Sequence, residues 1–86
     1  MLNQLMQDKA VALELRARKD LALIKKLDQQ LTSQPGSFDP TSTRFRQQNA
    51  MLLAQLKNRI QLMNKSWPST KATAEAVLVG EKYGFD

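Results

Sequence analysis

The chain contains no cysteine and no histidine. Disulfides, thiolate nucleophiles and thiolate metal sites are thereby excluded. So are the commonest general base and the commonest transition-metal ligand. Eight carboxylates remain, at positions 8, 14, 20, 28, 39, 75, 81 and 86, and no two are spaced i, i+3 or i, i+4. Paired-carboxylate chemistry has no local basis in that arrangement. The expectation is a protein that is not an enzyme, with no catalytic residues, no cofactor and no metal site. Apolar runs are short. None approaches the roughly 20 residues of a membrane span. The first ten residues, MLNQLMQDKA, have neither the basic start nor the apolar stretch of a secretory leader. A cytoplasmic location is therefore expected, although export by a machine that reads no leader leaves no such mark. No internal repeat and no low-complexity tract is present.

What the chain does have is helix-forming sequence and a basic excess. At 86 residues it suits one small domain with a marginal core. The net charge of +5 is compatible with nucleic acid, an anionic surface, an acidic protein, or simply a solvated helix surface. Residues 2–32 hold no Gly or Pro and are dominated by Ala, Leu, Lys, Gln and Arg, which predicts one long helix. Ala10, Leu13, Ala17, Ile24, Leu27 and Leu31 follow a heptad pattern that Asp20 alone interrupts, with Leu21 beside it to cover the gap. Leu2, Leu5 and Met6 extend the stripe to the start, and Leu15 and Leu23 widen it. Lys9, Arg16, Lys19 and Lys25 with Asp8, Glu14, Asp20 and Asp28 read as a mixed-charge outer face.

Residues 32–43, TSQPGSFDPTST, break the helix. Pro35-Gly36 is turn chemistry, and Asp39-Pro40 is a second turn or a helix entry, with Ser42 or Thr43 as the cap. Phe38 is the one large apolar residue in this loop, placed to fold over the open end of a hairpin. A second helix is predicted over 43–66, ended by Pro68, which disfavours helical geometry at Trp67. Its stripe is Phe45, Leu52, Leu56, Ile60, Met63 and Trp67, stepping by three, four or seven. Trp67 would plug the far end, near Met6 and Ala10. Met51, Leu53 and Leu62 lie off the stripe and point to a second apolar surface. Gln47, Gln48 and Asn49 are either solvated or a polar register point in the seam.

Fold class and organisation follow. The chain reads as all-α: an antiparallel two-helix hairpin over 1–67, resembling a coiled coil, and a short helix with a flexible tail over 68–86. In that last segment residues 70–79 form the helix, Gly80 its stop, and Ala72, Ala76, Val79 and Tyr83 share a face. Gly84 and the charged end are expected to fray.

The candidate functional residues are of two kinds. Phe45, Met51, Leu52, Leu56, Ile60, Leu62 and Met63 are candidate anchors for a protein partner, read at i, i+3, i+4 and i+7. The same stripe pairing internally with the first helix is the competing reading, strongest for Phe45, Leu52 and Leu56. Arg44, Arg46, Lys57 and Arg59 form a basic surface in a stretch that holds no acid between Asp39 and Glu75. Arg44 and Arg46 sit at a helix start, where the macrodipole disfavours cations, and that small penalty hints at a use. Nucleic acid is a weak expectation, because few aromatics accompany the charge and the loop is too long for a helix-turn-helix.

Phe38-Asp39-Pro40 followed by Phe45-Arg46-Gln47-Gln48-Asn49-Ala50-Met51-Leu52-Leu53 resembles the small co-chaperones of type III secretion, of the YscE/SsaE kind. The resemblance spans about residues 5–65 and stops short of the segment after Trp67. It implies a short helical hairpin that binds a tetratricopeptide-type chaperone and helps keep a secreted needle subunit unpolymerised in the cytoplasm. The chain is also similar to the needle subunits themselves, through its length and through residues 34–40 leading into a long second helix. That likeness implies self-assembly into a homo-oligomer or filament. Pro68 and the ending Glu81-Lys82-Tyr83-Gly84-Phe85-Asp86 depart from it.

Overall fold

A computed structural model of the protein describes residues 2–36 and 38–85, with side chains from residue 8 onward. The stripe extension at Leu2, Leu5 and Met6 therefore lies outside the described side chains. The described residues are all-helical: α1 (Leu2–Thr32), α2 (Thr43–Gln48), α3 (Ala50–Ser66) and α4 (Lys71–Lys82). α1 and α3 run antiparallel. Asp20 faces Trp67 near one end, and Gln34 faces Asn49 near the other.

The predicted second helix is two helices. At Asn49 the backbone leaves helical geometry (φ −115°, ψ 22°). Its side-chain amide donates to the Phe45 carbonyl at 2.9 Å and exchanges hydrogen bonds with the Gln34 amide, just past the end of α1. Asn49 is buried, whereas Gln47 and Gln48 are exposed. Of the two readings of this polar trio, Asn49 is the register point and the glutamines are solvated. Ser42 caps α2, its hydroxyl accepting from the Phe45 N–H at 3.3 Å. Gly36 has φ +95°, the left-handed turn expected after Pro35.

The last segment holds the expected short helix, which runs on to Lys82. The four-residue connection 67–70 turns α4 back along α3, and α4 packs on both α1 and α3. Thr70 caps it, accepting from the Thr73 N–H at 3.1 Å. Three helices thus enclose one core: Ala17, Leu21, Ile24 and Leu31 of α1, Leu56, Ile60 and Met63 of α3, Ala72 and Ala76 of α4, and Tyr83 just beyond it. α4 approaches closely because Ala72, Ala76 and Gly80 recur every fourth residue. A Cβ on Gly80 would lie 3.2 Å from Ile60 Cδ1. Gly80 is therefore a packing residue inside α4 and not its stop. The stop is Gly84, at φ +78°. The Phe85 N–H reaches the Gly80 carbonyl at 2.9 Å and the Gly84 N–H reaches the Glu81 carbonyl at 3.1 Å. These are the two hydrogen bonds of a Schellman motif, so the end is capped rather than frayed.

Candidate functional site

Two ends and three seams make up the molecule. At the loop end, four aromatic rings close the bundle. Phe38 meets Phe45 edge-on at 5.4 Å and Tyr83 at 5.9 Å, and Phe85 stacks on Tyr83 at 5.9 Å. Phe38 does fold over the open end. Arg46 joins the same cluster: its Nε donates to the Pro40 carbonyl at 3.0 Å and a terminal nitrogen donates to the Tyr83 carbonyl at 3.2 Å. A guanidinium is favourable at the C-terminus of α4, and Arg46 itself sits in the last turn of the short α2, so the cost expected at the start of a long second helix does not arise. Arg46 is thus a clamp between loop and bundle.

At the other end Trp67 lies against Asp20, its indole N–H donating at 2.9 Å. It does not reach Ala10, which is exposed. The interruption of the heptad is explained by the same contact: Asp20 is polar because it receives the indole.

The α1–α4 seam is parallel and coded by charge. Glu14 accepts from the Lys71 N–H at 2.7 Å, a carboxylate at a helix N-terminus. Its second oxygen is buried with no partner among the described residues. Glu75 meets Arg18 at 3.4 Å and Lys25 at 3.6 Å, and Asp28 meets Lys82 at 2.9 Å and the Tyr83 hydroxyl. Burial, and then the Asp28 carboxylate, push the Tyr83 phenol well above its ordinary range. Each exposed ion pair contributes only tenths of a kcal/mol. Their order along α4 nevertheless disfavours a slip, since moving Glu75 or Lys82 by a few turns would oppose like charges.

Of the four acids in the predicted mixed-charge face of α1, only Asp8 is exposed. Glu14, Asp20 and Asp28 all turn inward, to α4 or to Trp67, and Arg16, Lys19 and Lys26 stay outside without an ion-pair partner among the described residues.

The candidate anchors divide. Leu56, Ile60 and Met63 are core and are closed to a partner while the fold holds. Phe45 and Leu52 are half-buried against that core. Met51 is 78% exposed and Leu62 is 61% exposed, and these two alone of the seven are open. Of the basic set, Arg44, Lys57 and Arg59 are exposed, but Lys57 and Arg59 stand about 200° apart around α3 and share no face.

No group of His, Cys, Asp or Glu among the described residues is arranged to hold a metal ion. A cavity of about 320 Å³ lies at the loop, lined by Leu31, Pro35, Phe38, Arg44, Phe45 and Gln48 among others. Asp39 at its edge spends its carboxylate on the N–H and hydroxyl of Thr41, which hold its pKa below the usual range. No described helix is long and apolar enough to cross a membrane.

One feature was not read from the sequence. α3 ends and α4 begins at the level of Glu14 to Asp20, while α1 runs on past both. Residues 8–13 are all exposed, with Val11 at 56% and Leu13 at 43%. From Leu2 to Leu13 the helix overruns the bundle by about 18 Å. The signal was the difference in length between the two predicted helices. Compared with known proteins, the chain matches no family model, no curated protein and no solved structure.

Proposed function

We propose that this protein is a non-enzymatic interaction module, a small co-chaperone of type III secretion. It would act in the cytoplasm with a tetratricopeptide-type chaperone to hold a needle-type subunit unassembled. The overrunning start of α1 carries this reading. Ala10 and Leu13 continue the stripe that Ala17, Leu21 and Ile24 bury, yet no described element covers them. An isolated helix of this length is marginal in water without packing, so a second protein is the natural cover.

The test is co-expression with a tetratricopeptide-type chaperone and needle-type subunit from the same genome, followed by purification of the complex. Val11→Glu with Leu13→Glu should leave melting unchanged and abolish the complex. A complex that survives the double variant, or none with the unaltered chain, removes the reading. Open-ended growth of the purified chain alone would instead favour a filament subunit.

A further inference from the structure

We propose that the outward arc of α1, with the adjoining edge of α3, is a docking surface for an acidic amphipathic helix of another protein. This rests on the interaction-module reading and names the chemistry of a partner and a second place where it binds. The arc consists of Arg16, Lys19, Leu23, Lys26 and Gln30, at steps of three and four, with Leu15 beside them, and all are exposed. The α1–α3 pairing, Asp20 with Trp67 and Gln34 with Asn49, sets Leu62 level with Leu23 and Arg59 level with Lys26. Leu62 stands about 200° around α3 from Asn64, which borders α4, so it faces away from α4. Leu15, Leu23 and Leu62 are thus apolar points set among four cations.

Charge selects the occupant. α3 has no acid, and every acid of α1 after Asp8 is engaged with α4 or Trp67. A single-sign surface repels a second copy of itself. Arg16 and Lys19 at i, i+3 even cost the isolated helix a few tenths of a kcal/mol. A helix with a leucine stripe flanked by Glu would cover the apolar points and neutralise the cations together. Stacking of nucleobases is not provided for, since the five aromatic side chains lie at the two ends of the bundle.

The experiment is titration of the isotopically labelled full chain, followed by NMR, with a synthetic helical peptide of about five turns. One peptide carries a Leu stripe with Glu flanks, and its twin carries Lys flanks. Vesicles of phosphatidylcholine with phosphatidylglycerol and a short DNA duplex are titrated separately. The Glu peptide should move the amide signals of Leu15, Lys19, Leu23, Lys26, Arg59 and Leu62, and the Lys peptide should not. Lys19→Glu with Lys26→Glu should weaken binding at least tenfold while leaving melting unchanged. Binding should weaken from 0.1 to 1 M salt, as the Debye length falls from about 10 to about 3 Å.

No shift at millimolar Glu peptide overturns the proposal. So do equal binding of the twin, shifts confined to residues 8–13, or binding of vesicles or DNA in place of the peptide. Any of these leaves the co-chaperone reading intact if the Val11 and Leu13 variants still abolish the chaperone complex. Arc binding with no chaperone complex removes that reading and keeps this one.

Discussion

At the scale of single residues, the polar positions that look like defects are the ones the fold uses. Asp20 interrupts an apolar repeat, and a reading of pattern alone would repair it. Asp20→Leu should instead destabilise the protein by about 1 kcal/mol, because the Trp67 indole loses a charged acceptor. In a Trp67→Phe background the same change should become neutral or stabilising. Urea midpoints of the four proteins close the cycle, and a stabilised single variant would refute the assignment. Tyr83 gives a pH dependence with a definite sign. Its folded pKa is raised, so the stability it lends is complete below the unfolded value of about 10 and is lost as pH rises beyond that. Denaturant midpoints should hold up to about pH 10 and fall progressively above it, and Tyr83→Phe should flatten that fall. At neutral pH it should cost about 1 kcal/mol, for the hydrogen bond to Asp28. Asp20 was legible as an exception in the sequence, but its partner was not. The indole and the carboxylate are 47 positions apart, and no local pattern joins them.

At the scale of elements, two glycines, one inside α4 and one just past its end, have opposite duties. The sequence predicts a helix over 70–79 with Gly80 as its stop. The Schellman hydrogen bonds assign it to Gly84. Gly84→Ala should therefore cost about 1–2 kcal/mol for placing a Cβ in the left-handed region. Gly80→Ala should be near neutral, a helix-propensity gain of up to about 1 kcal/mol offset by contact with the flexible tip of Ile60. The ranking of the two melting temperatures decides between the assignments, and the reverse order would restore Gly80 as the stop. The spacing Ala72, Ala76, Gly80 did hold the signal, since small residues every fourth position allow close helix packing. In a single sequence that spacing is masked, because Gly is a stronger punctuator than a packing residue. The Asn49 break had no such signal. Good helix formers surround it, and the Gln34 amide that meets Asn49 lies 15 positions away in the loop.

At the scale of the whole molecule, length and shape determine what is open to partners. The radius of gyration is 15.3 Å, against about 12 Å for a compact chain of this size. The excess belongs to α1, whose 31 residues outreach the 17 of α3 and the 12 of α4. All-α architecture and the antiparallel pairing of the two long segments were legible because helical periodicity and the Pro-Gly loop are local properties. Which apolar residues face inward was only half legible. Periodicity placed Leu56, Ile60 and Met63 on one stripe but could not say that α4, as well as α1, would close over it. Opposite outcomes are thus expected at neighbouring leucines. Leu56→Ala should cost about 2–5 kcal/mol, as a core truncation does. Leu62→Ala and Leu13→Glu should each stay within about 0.5 kcal/mol, as exposed positions do. Thermal melts monitored by circular dichroism check both, and sedimentation at several concentrations must accompany them. If Leu13→Glu instead lowers melting by several degrees and does so only at high concentration, the start of α1 is already covered by another copy. A concentration-independent melt with unchanged mass means that the overrun is uncovered in the isolated chain, which is the state a co-chaperone awaiting its partner requires.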